Sequence, residues 1–286
     1  MPDALLAVLL PAFAAGVVAV LATVAVERLG GARGGVLSSI PTTIVPAALG
    51  IWGDGTDPEG FRRAMHFVPV GILLNAGYLL LWRIVPGRLG MIVHRHLLAW
   101  TVAVALGAWL AAATAVAALE RVAEPSPGQA LVTGFAAALA GLALAVAANR
   151  VRHPAPAGSR RVGVPVLCAR GAAAALAIGC ALLLARARLP VASGIASVFP
   201  AIFTTVMVAT WLAQGPRVPT GAVGPMMLGT LSVSAYAMLA AWLFPRMPVG
   251  WAAATCWVAA TSCVSVPAYA WLSARATSGL PPATPR

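Results

Sequence analysis

Gly35-Val-Leu-Ser38-Ser39-Ile-Pro41-Thr42-Thr43 and Gly194-Ile-Ala-Ser197-Val-Phe-Pro200-Ala-Ile-Phe-Thr204-Thr205 share one pattern, Gly-x-x-Ser-x-x-Pro, placed once in each half of the chain. Each stretch lies inside an apolar segment. Proline removes a backbone donor and displaces the carbonyl four residues before it, so a helix crossing lipid breaks or bends there. Freed backbone groups are tolerated at membrane depth only where protein or water satisfies them. Hydroxyl side chains beside two such breaks, in corresponding positions of two halves, point to the binding site of a secondary transporter.

The composition requires a membrane. Of 286 residues, 60% are hydrophobic and 9% charged, whereas about a quarter of a soluble protein is charged. A stretch of about 20 apolar residues is needed to cross the hydrocarbon. Nine stretches qualify: 4–26, 35–52, 64–82, 97–119, 130–148, 163–185, 191–213, 218–244 and 249–273. The second and seventh hold the motif prolines and read as broken or re-entrant. The expected fold is therefore all-α and polytopic, with about nine transmembrane helices. The N-terminal Met-Pro-Asp lacks the positive region of a signal peptide, and its apolar run reads as a retained first span.

The matching extends beyond the motifs. Gly71 and Tyr78 follow Pro41, and Gly229 and Tyr236 follow Pro200, seven residues apart in each case. A Trp and a Pro come next in both halves, Trp82 with Pro86 and Trp242 with Pro245, before another long span. Residues 1–119 thus form one repeat of four spans and residues 163–275 a second. Residues 120–162 supply a connecting span and a basic loop, and residues 276–286 read as a disordered tail. One span between two four-span units turns the second over, which gives inverted-topology repeats.

All basic residues are arginine, which accompanies the high Ala, Gly and Pro content of a GC-rich bacterial genome. They sit in short loops without a basic stripe, so nucleic acid is not an expected partner. With the N-terminus outside, inner loops hold twice as many arginines as outer loops, Arg150 to Arg161 being the densest. This bias orients the chain N-outside and C-cytoplasmic in a bacterial inner membrane. The loop Asp54-Gly-Thr-Asp57-Pro58-Glu59 is rich in acids, but Asp57, Pro58 and Glu59 fit the start of a helix.

The expected substrate-binding residues are Gly35, Ser38, Ser39, Pro41, Thr42 and Thr43 from the first motif, and Gly194, Ser197, Pro200, Thr204 and Thr205 from the second. Asn75 joins them as a polar residue in mid-span, and Arg170, inside the sixth span, is a candidate for attracting an anion. Acidic residues are nearly absent from the spans, which disfavours a carboxylate proton relay. Cys168, Cys180, Cys256 and Cys263 form no metal-ligand pattern. Met207, Met226, Met227 and Met238 read as core filling. No cofactor or metal is expected. Enzyme signatures such as HExxH, GxSxG or a P-loop are missing.

Residues 30–86 resemble the small bacterial GlpM-type membrane proteins. The resemblance rests on the Gly34-Gly-Val-Leu-Ser-Ser-Ile-Pro41 opening, an apolar helix ending in Gly50-Ile-Trp52, the Asp54-Gly-Thr-Asp57 loop and a further apolar helix. It implies an ancestral small membrane protein that duplicated, and it implies no activity or site. The leading functional expectation is a secondary transporter of a small solute or ion, in contact with the lipid bilayer. A non-transporting scaffold or accessory subunit, and an intramembrane enzyme, are the alternatives. The sequence leaves the oligomeric state open, a dimer included.

Overall fold

The computed structural model describes residues 2–29, 41–53, 57–90, 96–123, 125–150 and 163–277. Their regular structure is all helix: α1 (Pro2–Leu29), α2 (Ile44–Gly53), α3 (Pro58–Leu89), α4 (Leu97–Ala123), α5 (Pro127–Ala148), α6 (Val164–Arg186), α7 (Pro190–Ala196), α8 (Ala201–Gln214), α9 (Arg217–Leu243), α10 (Val249–Ala260) and α11 (Val266–Thr277). A π-helical turn, Thr261–Ser265, joins the last two. Among the described residues, seven stretches are long and apolar enough to cross a membrane: α3, α4, α5, α6, α7 with α8, α9, and α10 through α11. The protein is thus an all-α, multi-pass membrane protein. These seven are the third to the ninth of the expected spans. The described part of the second, α2, has only 10 residues, about 15 Å of helix.

Local chemistry sets the helix starts. The Asp57 carboxylate accepts a hydrogen bond from the Gly60 amide at 2.7 Å, with Pro58 in the first turn. This is the cap expected of the acidic loop, and it uses Asp57 as structure. Ser126 and Gln129 form a reciprocal capping box at the start of α5, satisfying two otherwise orphaned amides.

The central pair is α3 with α9, and α1 packs on α6. Both pairs run antiparallel. At one end of the bundle Phe61 of α3 stacks on Phe244, just past α9, with centroids 5.0 Å apart. At the other end Arg83 of α3 donates to the Thr220 carbonyl near the start of α9 at 3.0 Å. In the second pair, a Cβ on Gly16 would lie 2.8 Å from the Gly171 carbonyl oxygen, and one on Gly179 would meet Ala12. These glycines let the two backbones approach closely. Around the central pair, α5 lies against both α3 and α9, and α4 covers α3.

Candidate functional site at the interrupted seventh span

The helix beginning at Pro190 stops at Ala196, and helix resumes at Ala201. Between them Ser197, Val198 and Phe199 form a turn that ends on Pro200. Proline cannot donate to the preceding helical turn, so the interruption falls where the sequence places it. The Thr204 amide picks up the Pro200 carbonyl at 2.9 Å, which restarts the helix.

The break is packed against the middle of α3. A Cβ on Gly194 would collide with the Ala64 backbone, and one on Gly71 would lie 2.5 Å from Val198 Cγ2 and 3.2 Å from the Ile195 backbone. Both glycines are needed for this close crossing. α7 and α8 lie parallel to α3, since Ala64 meets Gly194 and Tyr78 meets Thr204. The turn therefore sits level with Gly71 and Asn75, about halfway along the 32-residue α3.

One side chain of α3 and one of α8 satisfy the broken backbone. Asn75 Nδ2 donates to the Val198 carbonyl at 2.7 Å. Thr204 Oγ1 donates to the Pro200 carbonyl at 2.7 Å and lies 2.8 Å from the Tyr78 hydroxyl. Because the Thr204 proton is used on Pro200, Tyr78 is the donor to Thr204. Ser197 turns its hydroxyl back onto the Gly194 carbonyl at 2.7 Å. On the far side Trp109 of α4 meets Phe199 edge-on, with centroids 5.1 Å apart.

Two polar atoms beside the break are left over. Asn75 Oδ1 and Ser193 Oγ are buried and have no hydrogen-bond partner. Asn75 is 1% exposed and Ser193 is fully buried. An unpaired buried polar atom costs about 1–3 kcal/mol, so such atoms mark positions where water, an ion or a ligand group completes the shell. The pair offers an acceptor and a hydroxyl that can either donate or accept.

The expected site residues divide accordingly. Asn75, Gly194, Ser197, Pro200 and Thr204 come together at the break. Thr205 faces α6, where Arg170 Nε donates to its hydroxyl at 3.4 Å while Thr205 donates to the Ile202 carbonyl at 2.9 Å. Arg170 is 6% exposed and is engaged there. Pro41 is buried, and Thr42 and Thr43 are half-buried just before α2. Among the described residues no hydrogen bond joins Thr42 or Thr43 to the Ser197–Pro200 turn. Gly35, Ser38 and Ser39 lie outside the described residues.

Tyr78 was legible only as a repeat marker, and Ser193 only as one of several hydroxyls near Pro200. Their roles depend on the register between α3 and the seventh span, which sequence spacing does not fix. The site defines a class: a multi-pass all-α membrane protein in which, among the described residues, the seventh span is interrupted at mid-bundle and braced by polar side chains. No protein-family model, no curated protein and no solved structure matches the chain.

Proposed function

We propose that the protein is a secondary transporter of a small solute or ion in a bacterial inner membrane, with its substrate site at the interrupted seventh span. The observation that carries this reading is the pairing of that break with two unsatisfied, buried polar atoms, Asn75 Oδ1 and Ser193 Oγ. A scaffold span has no need of an interruption held at mid-bundle by side chains from another helix. A transporter uses one, because discontinuous helices expose backbone and side-chain polar groups to a substrate near the midplane. A solute or cation offering a donor or a positive charge to the Asn75 oxygen fits the open acceptor.

Inverted repeats are part of the proposal, with residues 1–119 and 163–275 as the units, 120–162 connecting them, and a tail at 276–286. The antiparallel pairs α1 with α6 and α3 with α9 support it, since each pair joins spans that correspond in the two halves. The reading also covers the GlpM-like stretch, as the ancestral unit. The two halves have diverged at the site. At the spacing that matches Tyr78 to Tyr236, Asn75 corresponds to Val233. The Tyr236 hydroxyl, fully buried, has no hydrogen-bond partner. Among the described residues the polar break lies at the second motif, braced by α3 of the first repeat.

Reconstitution in proteoliposomes tests the function. A panel of radiolabelled amino acids, sugars and monovalent cations is offered with and without a sodium gradient. Uptake of one class, abolished by Asn75→Leu in protein that still elutes monodisperse, is the expected result. Absence of flux for the whole panel, with Asn75→Leu matching wild type in thermal stability, favours the scaffold reading.

A further inference from the structure

A long groove on the side of the bundle lies away from the break and shares no residue with it. It encloses about 1180 Å³ between α5, α9, the π-helical turn and α11, with the first turns of α3 at one end. That exceeds the roughly 300–1,000 Å³ of a drug-sized ligand site. Its floor is apolar: Leu228, Leu231 and Met238 of α9 face Leu139 and Leu142 of α5. From Leu228 to Trp242 it follows α9 for about 20 Å. Its far wall is the π-helical turn, where Cys263 and Val264 line the space. Such turns widen a helix locally and recur at functional sites.

The charged side chains are confined to one end. Glu59, Arg62, His66 and Arg246 all line the groove there, beside the Phe61–Phe244 stack. Glu59 is paired with Arg62. Arg246 donates to the Trp242 carbonyl at 2.6 Å and lies 5.1 Å from the Trp242 ring centre. The mouth thus carries two guanidinium groups against one carboxylate. Two lining atoms are buried without a partner, Arg62 Nε and the hydroxyl of Ser234, a residue 2% exposed.

We propose that this groove binds a phospholipid with an anionic headgroup, its phosphate at Arg62 and Arg246 and one acyl chain along α9 beneath Leu139 and Leu142. The combination of a cationic mouth, an apolar channel of acyl-chain length and an unpaired donor at Arg62 Nε matches an amphiphile rather than a free solute. Arg62 and Arg246 form charge-assisted hydrogen bonds with phosphate.

Native mass spectrometry of the full-length protein in detergent tests this. Phosphatidylglycerol and phosphatidylcholine of identical chains are titrated in parallel. Both lipids carry the phosphate, but only phosphatidylcholine sets a quaternary ammonium against the two guanidinium groups, so the expected preference for phosphatidylglycerol is about ten-fold. Combining Arg62→Gln with Arg246→Gln abolishes the preference, and Ala138→Phe, which fills the groove, removes tight retention of both lipids. Thermal unfolding without lipid checks that each variant is folded, and if Ala138→Phe is not, the arginine variant decides. Equal retention of the two lipids by wild type, or an unchanged preference in the arginine variant, overturns the proposal. Displacement of phosphatidylglycerol by millimolar inorganic phosphate assigns the site to a free anion and overturns it as well. Neither result bears on solute flux, which is measured at Asn75.

Discussion

Arg63 and Arg83, both on α3, hold the two ends of α5. Arg63 donates to the Pro125 carbonyl just before α5 at 2.5 Å, and Arg83 donates to the Ala148 carbonyl at its end at 2.8 Å. The two arginines are about 30 Å apart along the helix, the thickness of a bilayer core. α5 therefore runs the full length of the bundle, parallel to α3. The proposed inverted repeats depend on this helix, because a full crossing between two four-span units would reverse the second.

The ends of α5 should consequently face opposite sides of the membrane. Val122, 84% exposed at the end of α4, and Gly163, exposed before α6, are suitable positions for single cysteines. In a background lacking the four native cysteines, a membrane-impermeant maleimide should label Val122→Cys only from outside and Gly163→Cys only from the cytoplasm. Labelling of both from one side contradicts the topology.

Arg83 also secures α9, through the Thr220 carbonyl. Arg83→Ala leaves two carbonyls without this donor, and the expected loss is about 1–3 kcal/mol. Arg63 donates to the Pro125 carbonyl and also pairs with Glu120, 2.9 Å apart, whose side chain is 11% exposed. Arg63→Ala should therefore lower the thermal midpoint as well, by about 1–3 kcal/mol. Unfolding followed by tryptophan fluorescence in detergent measures both variants. A neutral outcome for either contradicts the hydrogen-bond assignment.

The matched tyrosines give a sharper comparison. Tyr78 donates to Thr204, while the Tyr236 hydroxyl has no partner. Tyr78→Phe should cost about 1 kcal/mol. Tyr236→Phe should be neutral or stabilising, because it removes an unsatisfied buried group. Destabilisation by Tyr236→Phe equal to that of Tyr78→Phe contradicts the one-sided assignment.

Glycine substitutions probe the crossing. Gly194→Ala drives a methyl into the Ala64 backbone, whereas a Cβ on Gly107 meets nothing within 4 Å. Gly107→Ala should be neutral or gain up to about 1 kcal/mol from helix propensity. Gly194→Ala should cost about 1–3 kcal/mol through overpacking. The same unfolding measurement ranks them, and a neutral Gly194→Ala contradicts the close approach of α3 to the seventh span.

Much of this architecture was legible in the chain. Pro200 and Gly194 placed the interruption, because proline and glycine act through the backbone and need no partner to be known. Asp57-Pro58-Glu59 placed a helix start for the same local reason. The bracing of the break was not legible, since Asn75 and Tyr78 reach it only in one register of α3 against the seventh span. Arg83 counted only as a loop charge, yet it ties together the ends of two helices. The lateral groove was invisible as well, because its walls come from four helices and the π-helical turn and its apolar residues look like any lipid-facing surface.

The central claim is that the Ser197–Pro200 break is a substrate site opened alternately to the two sides of the membrane. Ser197 is 6% exposed, and cysteine differs from it little in size. Ser197→Cys in the cysteine-free background, probed in oriented vesicles with an impermeant thiol reagent, tests the claim directly. The account predicts slow modification from both faces, with Val122→Cys as the one-sided control. Modification from one face only, or from neither, contradicts it.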